Sequence, residues 1–162
     1  MASGDEVALC PVKTGEANGT STSIPTRRGT FASVLRFPDT GAIHYWPIPP
    51  MDAYGGGGLT TKMRIGFATA TSGTAIFGVR FLRSINSSTD LDTAAFSATQ
   101  NTATATAPSS SGQYVEITIT HTDGTQIDSL TTGSQGWIEV ERTGGTASGD
   151  AEIIEYARVT ES

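Results

Sequence analysis

Tyr114-Val115-Glu116-Ile117-Thr118-Ile119-Thr120-His121 alternates without a break. Val115, Ile117, Ile119 and His121 fall on one face, and Glu116, Thr118 and Thr120 on the other. This period of two lies between the turn residues Ser109-Ser110-Ser111-Gly112 and Asp123-Gly124, so it reads as a half-buried β-strand. Its polar face is built of Thr, a β-branched residue that sits well on the wet side of a pleated sheet.

The same pattern recurs on both sides. Upstream, Met63, Ile65 and Phe67 alternate with Lys62, Arg64 and Gly66, and Thr71-Ser72-Gly73 turns the chain into Ala75–Arg83. There Phe77, Val79 and Phe81 face one way and Ile76 and Leu82 the other, which predicts a strand covered on both sides. Earlier still, Phe31, Ser33, Leu35 and Phe37 share a face. Pro38-Asp39-Thr40-Gly41 is a turn, and Ala42–Trp46 reads as the second strand of a hairpin, ended by Pro47, Pro49 and Pro50. Thr102–Ala107 is either a low-complexity strand or part of a linker. Downstream, Trp137–Arg142 and Ala151–Thr160 are two more strands.

About eight strands spaced by turns, with no helical stripe and no βαβ alternation, predict an all-β fold: a two-sheet antiparallel sandwich. An immunoglobulin-like domain of about 100 residues leaves too much of the 162 unused, so a jelly-roll-like topology is expected. Residues 1–28 are polar, carry Pro11 and Pro25 and show no sustained period; they are expected to form an extended N-terminal arm ahead of a sandwich domain over 29–162.

Composition narrows the function classes. Charged residues make up 16%, and Ser and Thr together about a quarter. The net charge is −6, and the ten Lys and Arg are scattered, so nucleic acid is not expected as a partner. A single cysteine, Cys10, allows no intramolecular disulfide. No apolar run approaches the roughly 18 residues of a membrane span. Met1-Ala-Ser-Gly-Asp-Glu6 lacks the basic and apolar regions of a signal peptide, so synthesis in the cytoplasm without secretory export is expected.

Candidate chemistry is sparse. His44 and His121 each lie inside a strand without metal-ligand spacing, so zinc is not expected. Asp90-Leu91-Asp92 offers two oxygen ligands toward calcium but lacks the acidic density of a calcium loop, and no metal or cofactor site is assigned. No G-x-S-x-G places a nucleophile. Glu139 and Glu141 share a strand face about 7 Å apart, which suits either an inverting glycosidase or a plain solvent face. Gly55–Gly58 lacks the Gly-Lys-Thr/Ser ending of a phosphate loop and leads into a strand. No catalytic residue is assigned. The remaining signal is Trp46-Pro47-Ile48-Pro49-Pro50-Met51 with Tyr54. Its rings can cap the end of the core, anchor a subunit interface or offer stacking platforms to a sugar.

Trp46-Pro-Ile-Pro-Pro-Met-Asp-Ala-Tyr54, followed by glycines, Leu59 and an alternating strand, resembles small β-sandwich structural proteins of tailed bacteriophages. Trp137-Ile-Glu-Val-Glu-Arg142, with the Gly149-Asp150 turn and a final strand, continues the likeness. Within that group the chain is most similar to capsid decoration (cement) proteins. The resemblance implies a non-enzymatic virion protein: a homotrimer on the outer capsid surface, with the major capsid protein as partner. Arg27, Arg28, Trp46, Pro49, Pro50 and Tyr54 are then the candidate subunit or capsid interface. The alternative is a carbohydrate-binding or receptor-binding module of a phage tail or adhesin, with Trp46 or Tyr54 as its platform.

Overall fold

The computed structural model describes residues 4–17, 23–52, 54–84, 88–90 and 92–162. Among them eleven strands follow in order: β1 (Glu6–Pro11), β2 (Glu16–Ala17), β3 (Ile24–Arg28), β4 (Ala32–Phe37), β5 (Ile43–Ile48), β6 (Leu59–Phe67), β7 (Thr74–Ser84), β8 (Asn101–Thr106), β9 (Tyr114–His121), β10 (Gln135–Gly145) and β11 (Ala151–Glu161). A single 3₁₀ turn, Thr125–Ile127, is the one helical element among these residues. Sheet A runs β3-β4-β11-β6-β9, with β1 also paired to β11; sheet B runs β2-β5-β10-β7-β8. The pairings are antiparallel, giving the all-β two-sheet sandwich expected from the sequence.

The alternation fixes which side chains meet between the sheets. Sheet A turns inward Leu35 and Phe37, Met63, Ile65 and Phe67, Ile117 and Ile119, and Ile153, Ala157 and Val159. Sheet B answers with Trp46, Phe77, Val79, Phe81, Ile138 and Val140. Phe37 meets Phe77 edge-on at 5.3 Å, and Phe81 meets His121 at 4.9 Å. Each such ring removed from water contributes about 2–3 kcal/mol.

Three local expectations change. The turn at Pro38–Gly41 does not close a hairpin, because β4 lies in sheet A and β5 in sheet B. Periodicity shows where a chain reverses but not whether it returns in the same sheet. Arg142 explains this corner: its Nη1 donates to the carbonyls of Phe37, Pro38 and Gly149 and its Nη2 to that of Ala147, tying together two connections that cross between sheets. Second, β5 continues through Pro47, which pairs with Trp137. On its other side β2 pairs only with His44 and Tyr45, so Pro47 lies on a free edge where a missing N–H costs nothing.

Third, the described part of residues 1–28 is extended but lies within the sheets. β1 pairs with β11 from Glu6–Thr160 to Pro11–Tyr156, and Ala8, Cys10 and Val12 are buried. β3 pairs with β4, so residues 28 and 29 fall inside a hairpin and mark no domain boundary. The signal was weak because the inward set of β1 is small, with a bulge between Glu6 and Ala8 and a proline at its end. Tertiary pairing, not local pattern, makes these strands.

Two measurements follow. Burial pushes the Cys10 thiol up to about 12, so it is neutral and shielded in the core, on a strand paired to β11. Cys10 is expected to resist a thiol reagent in native buffer and to react fully in denaturant; rapid native labelling would show β1 to be undocked. His121 is buried, sharing a hydrogen bond with Thr61 through Nε2 while Nδ1 has no partner among the described residues. Burial lowers its pKa from 6.5 to about 4. The unfolded chain therefore takes up this proton first, and stability falls as pH drops from 6.5 to about 4, by up to about 3 kcal/mol from this residue. Urea titrations across that range should show a shallower fall in His121→Gln.

Candidate functional site

The residues singled out in the sequence do not gather into one site. Trp46 is 1% exposed, and its indole N–H donates to the Pro11 carbonyl at 2.8 Å. Tyr54 is equally buried, its hydroxyl donating to the Gly57 carbonyl. Both rings cap the core, and neither presents a face to a ligand. Pro49 and Pro50 are exposed, and Pro50 borders a depression of about 290 Å³ with Arg83, Thr131, Thr132 and Gln135. A neighbouring depression of about 250 Å³ includes Pro47 and Trp137. Arg27 is exposed on β3, whereas Arg28 reaches across sheet A to Glu152.

Part of the outer face of sheet B, over β5, β10 and β7, is covered by the chain itself, while Thr102, Thr104 and Thr106 of β8 are exposed. Phe96 stacks on Tyr45 at 5.4 Å, and Ser97 N–H donates to the Phe81 carbonyl at 2.8 Å. Gln100 donates to Glu141 at 2.8 Å, and Arg80 Nε to Glu139 at 2.6 Å. Burial pushes the Glu139 carboxyl above its ordinary value, with the Arg80 hydrogen bond and charge pulling the other way. The two glutamates flagged in the sequence are thus each held by a neighbour beneath segment 92–100.

Sheet A has a different outer face, shaped by β11. On one side β11 pairs with β6, but it uses four steps, Ile153 to Ala157, where β6 uses two, Ile65 to Met63. On the other side β4 pairs with Ala151–Ile154 and β1 with Tyr156–Thr160. Glu155 lies at this handover with φ 66°, and its carbonyl accepts from Val12 N–H at 2.9 Å. A non-glycine residue in the left-handed region costs about 1 kcal/mol or more and persists only where its surroundings over-determine it. Strict alternation would turn Glu155 inward; the bulge brings it to the surface beside Tyr156.

The gap between β4 and β1 is a cavity of about 370 Å³ lined by Val12, Lys13, Phe31, Ser33, Glu155 and Tyr156. Alternation puts Phe31 on one strand face with Ser33, Leu35 and Phe37. Instead it precedes β4 in the hairpin turn and is 85% exposed. On the far side of Tyr156 lies a smaller cavity of about 160 Å³, lined by Lys62, Arg64, Glu116, Tyr156 and Arg158. The Arg64 guanidinium sits 5.5 Å from the ring centre of Tyr114 and 6.0 Å from that of Tyr156, and pairs with Glu155 at 3.4 Å. Tyr114 is 51% exposed. Above this group, Glu152 is fully buried between Arg28 and Arg36, the latter at 2.9 Å. Gly66 leaves the room Ile154 fills: a Cβ there would stand 3.1 Å from its Cδ1.

The arrangement offers flat apolar ring faces ringed by hydroxyl, carboxylate and ammonium groups, which suits noncovalent binding of a flat amphipathic ligand. Among the described residues no three His, Cys, Asp or Glu stand close enough to hold a metal ion, and no helix is long and apolar enough to cross a membrane. Sequence reasoning missed Tyr156 and Phe31 as surface rings. Tyr114 was legible as an outward position of the clearest strand, but Tyr156 depends on a bulge that periodicity does not show.

No family model and no curated protein sequence matches the chain. Solved structures do. A carbohydrate-binding module from Cellvibrio mixtus lichenase 5A, in complex with cellotriose, superposes with TM-score 0.56 at 13% identity over 97% of this chain and 98% of that one. A module from Clostridium stercorarium, in complex with cellobiose, gives 0.56 at 12% identity over 99% and 98%. The xylan-binding domain of Paenibacillus barcinonensis Xyn10C gives 0.55 at 11% identity over 100% and 99%. At these identities the likeness speaks for architecture: the chain has the β-sandwich fold of these modules, end to end.

Proposed function

We propose that this protein is a carbohydrate-binding module, a binding protein and not an enzyme, and that it holds its glycan on the outer face of sheet A. One observation carries the reading: the β11 bulge turns Tyr156 outward and the β3–β4 turn brings Phe31 to the same cavity, with Lys13, Ser33 and Glu155. Sugar rings present an apolar face of C–H groups and a rim of hydroxyls, so they need an aromatic surface flanked by donors and acceptors. The end-to-end likeness to modules bound to cellotriose and cellobiose supports the same reading. It matches the alternative drawn from the sequence but moves the platform from the buried Trp46 and Tyr54 to Phe31, Tyr156 and Tyr114.

The capsid-decoration reading draws no support from these folds. Of its interface residues, Trp46 and Tyr54 are core and Arg28 is engaged with Glu152.

Affinity electrophoresis of the whole chain through gels holding soluble polysaccharides tests the assignment. A polymer that retards the protein should retard Tyr156→Ala and Phe31→Ala with affinity reduced about tenfold, the worth of one lost stacking contact. Trp46→Phe, which loses the hydrogen bond to Pro11 and some packing, should destabilise the fold by about 1–3 kcal/mol yet leave retardation unchanged. Undiminished retardation of both Tyr156→Ala and Phe31→Ala would remove the site from this face.

A further inference from the structure

The charges around Tyr156 point to the class of glycan, an inference that rests on the carbohydrate-binding reading above. The chain carries a net charge of −6, and most of its cations are already committed. Arg28, Arg36, Arg64, Arg80 and Arg158 each pair with a carboxylate, the last with Glu6 at 3.0 Å. Arg83 and Arg142 donate to backbone carbonyls. Apart from Arg27 on the edge strand β3, the cations without such a partner among the described residues are Lys13 and Lys62. They are the only lysines in the sequence. Each lines one of the two cavities that Tyr156 separates.

The carboxylates lining those cavities are Glu155, neutralised by Arg64, and Glu116. Counting Lys13, Lys62, Arg64 and Arg158 against Glu116, Glu155 and the Glu6 partner of Arg158, the local balance is positive on an acidic chain. Two uncommitted ammonium groups contribute nothing to the ladder or the core. A compact ammonium on a flexible stem is well suited to meet an anionic group whose position varies along a polymer. A neutral sugar makes no use of the charge.

We propose that the sheet A face recognises an acidic glycan. Tyr156 and Phe31 stack on sugar rings, and Lys13 and Lys62, one on each side of Tyr156, receive anionic substituents of successive residues. The shared chemistry is a uronate carboxylate or a sulfate ester.

The probes are a polyuronate and a sulfated galactan, each paired with its neutral counterpart made by carboxyl reduction or desulfation. Binding is measured by affinity electrophoresis and calorimetry on the full chain. The expected result is at least about tenfold tighter binding of one acidic polymer than of its neutral form. That preference should weaken as NaCl rises from about 50 to about 500 mM and disappear in the double variant Lys13→Gln/Lys62→Gln. Which acidic polymer shows it identifies carboxylate or sulfate. Equal binding of acidic and neutral forms overturns the charge assignment and leaves the carbohydrate reading standing. A preference that survives in the double variant, with an unchanged melting temperature, overturns the role of these lysines. Retention of none of the four polymers by the folded protein, extended to neutral β-glucans and xylans with the same result, overturns both readings.

Discussion

A strand edge can be hydrogen-bonded by only one neighbour at any residue, and along one edge of β11 two strands divide the length. β4 takes Ala151–Ile154 and β1 takes Tyr156–Thr160. The single residue between them, Glu155, adopts a left-handed backbone and gives its carbonyl to Val12. This handover binds the first strand of the chain to the last. It also opens the cavity between β4 and β1, and turns Glu155 and Tyr156 together toward solvent. The strain at Glu155 is held by ladders on both sides, which fixes the backbone beneath the proposed binding surface. A preformed site loses less conformational entropy on binding than one that must be ordered.

Charge is distributed to the same end. Buried Glu152 is held by two arginines, which fixes the half of the sheet A face next to the cavity without leaving an unpaired charge inside. Arg64 sits between two tyrosine rings on the other half while paired with Glu155. On sheet B the equivalent outer surface is closed by Phe96, Ser97 and Gln100. The middle of one face of the sandwich is thus covered by its own loop, and the other face presents aromatic and charged groups to solvent.

Most of the sandwich was readable from alternation. The inward sets Met63-Ile65-Phe67, Phe77-Val79-Phe81 and Ile117-Ile119 are the core residues they were expected to be. What escaped depended on contacts far apart in sequence. β1 has only Ala8, Cys10 and Val12 to bury, too small a set to signal a strand without β11 opposite it. For Trp46 and Tyr54 the sequence left core cap, interface anchor and sugar platform open; backbone carbonyls at Pro11 and Gly57 satisfy their polar atoms, and the rings cap the core. Phe31 kept the parity of Leu35 and Phe37 but falls in a turn, outside the ladder that gives parity its meaning. The face proposed for binding was illegible for the same reason: its surface forms only once two strands share one edge of a third.

The most direct test of the sheet A assignment is an NMR titration of the assigned backbone amides with an oligosaccharide of whichever polymer the protein retains. The account predicts that the largest shift changes fall on Phe31, Ser33, Arg64, Glu155 and Tyr156, with Trp46 and Tyr54 little moved. Changes confined to Thr132, Gln135 and Trp137 at the far end of sheet B would contradict it.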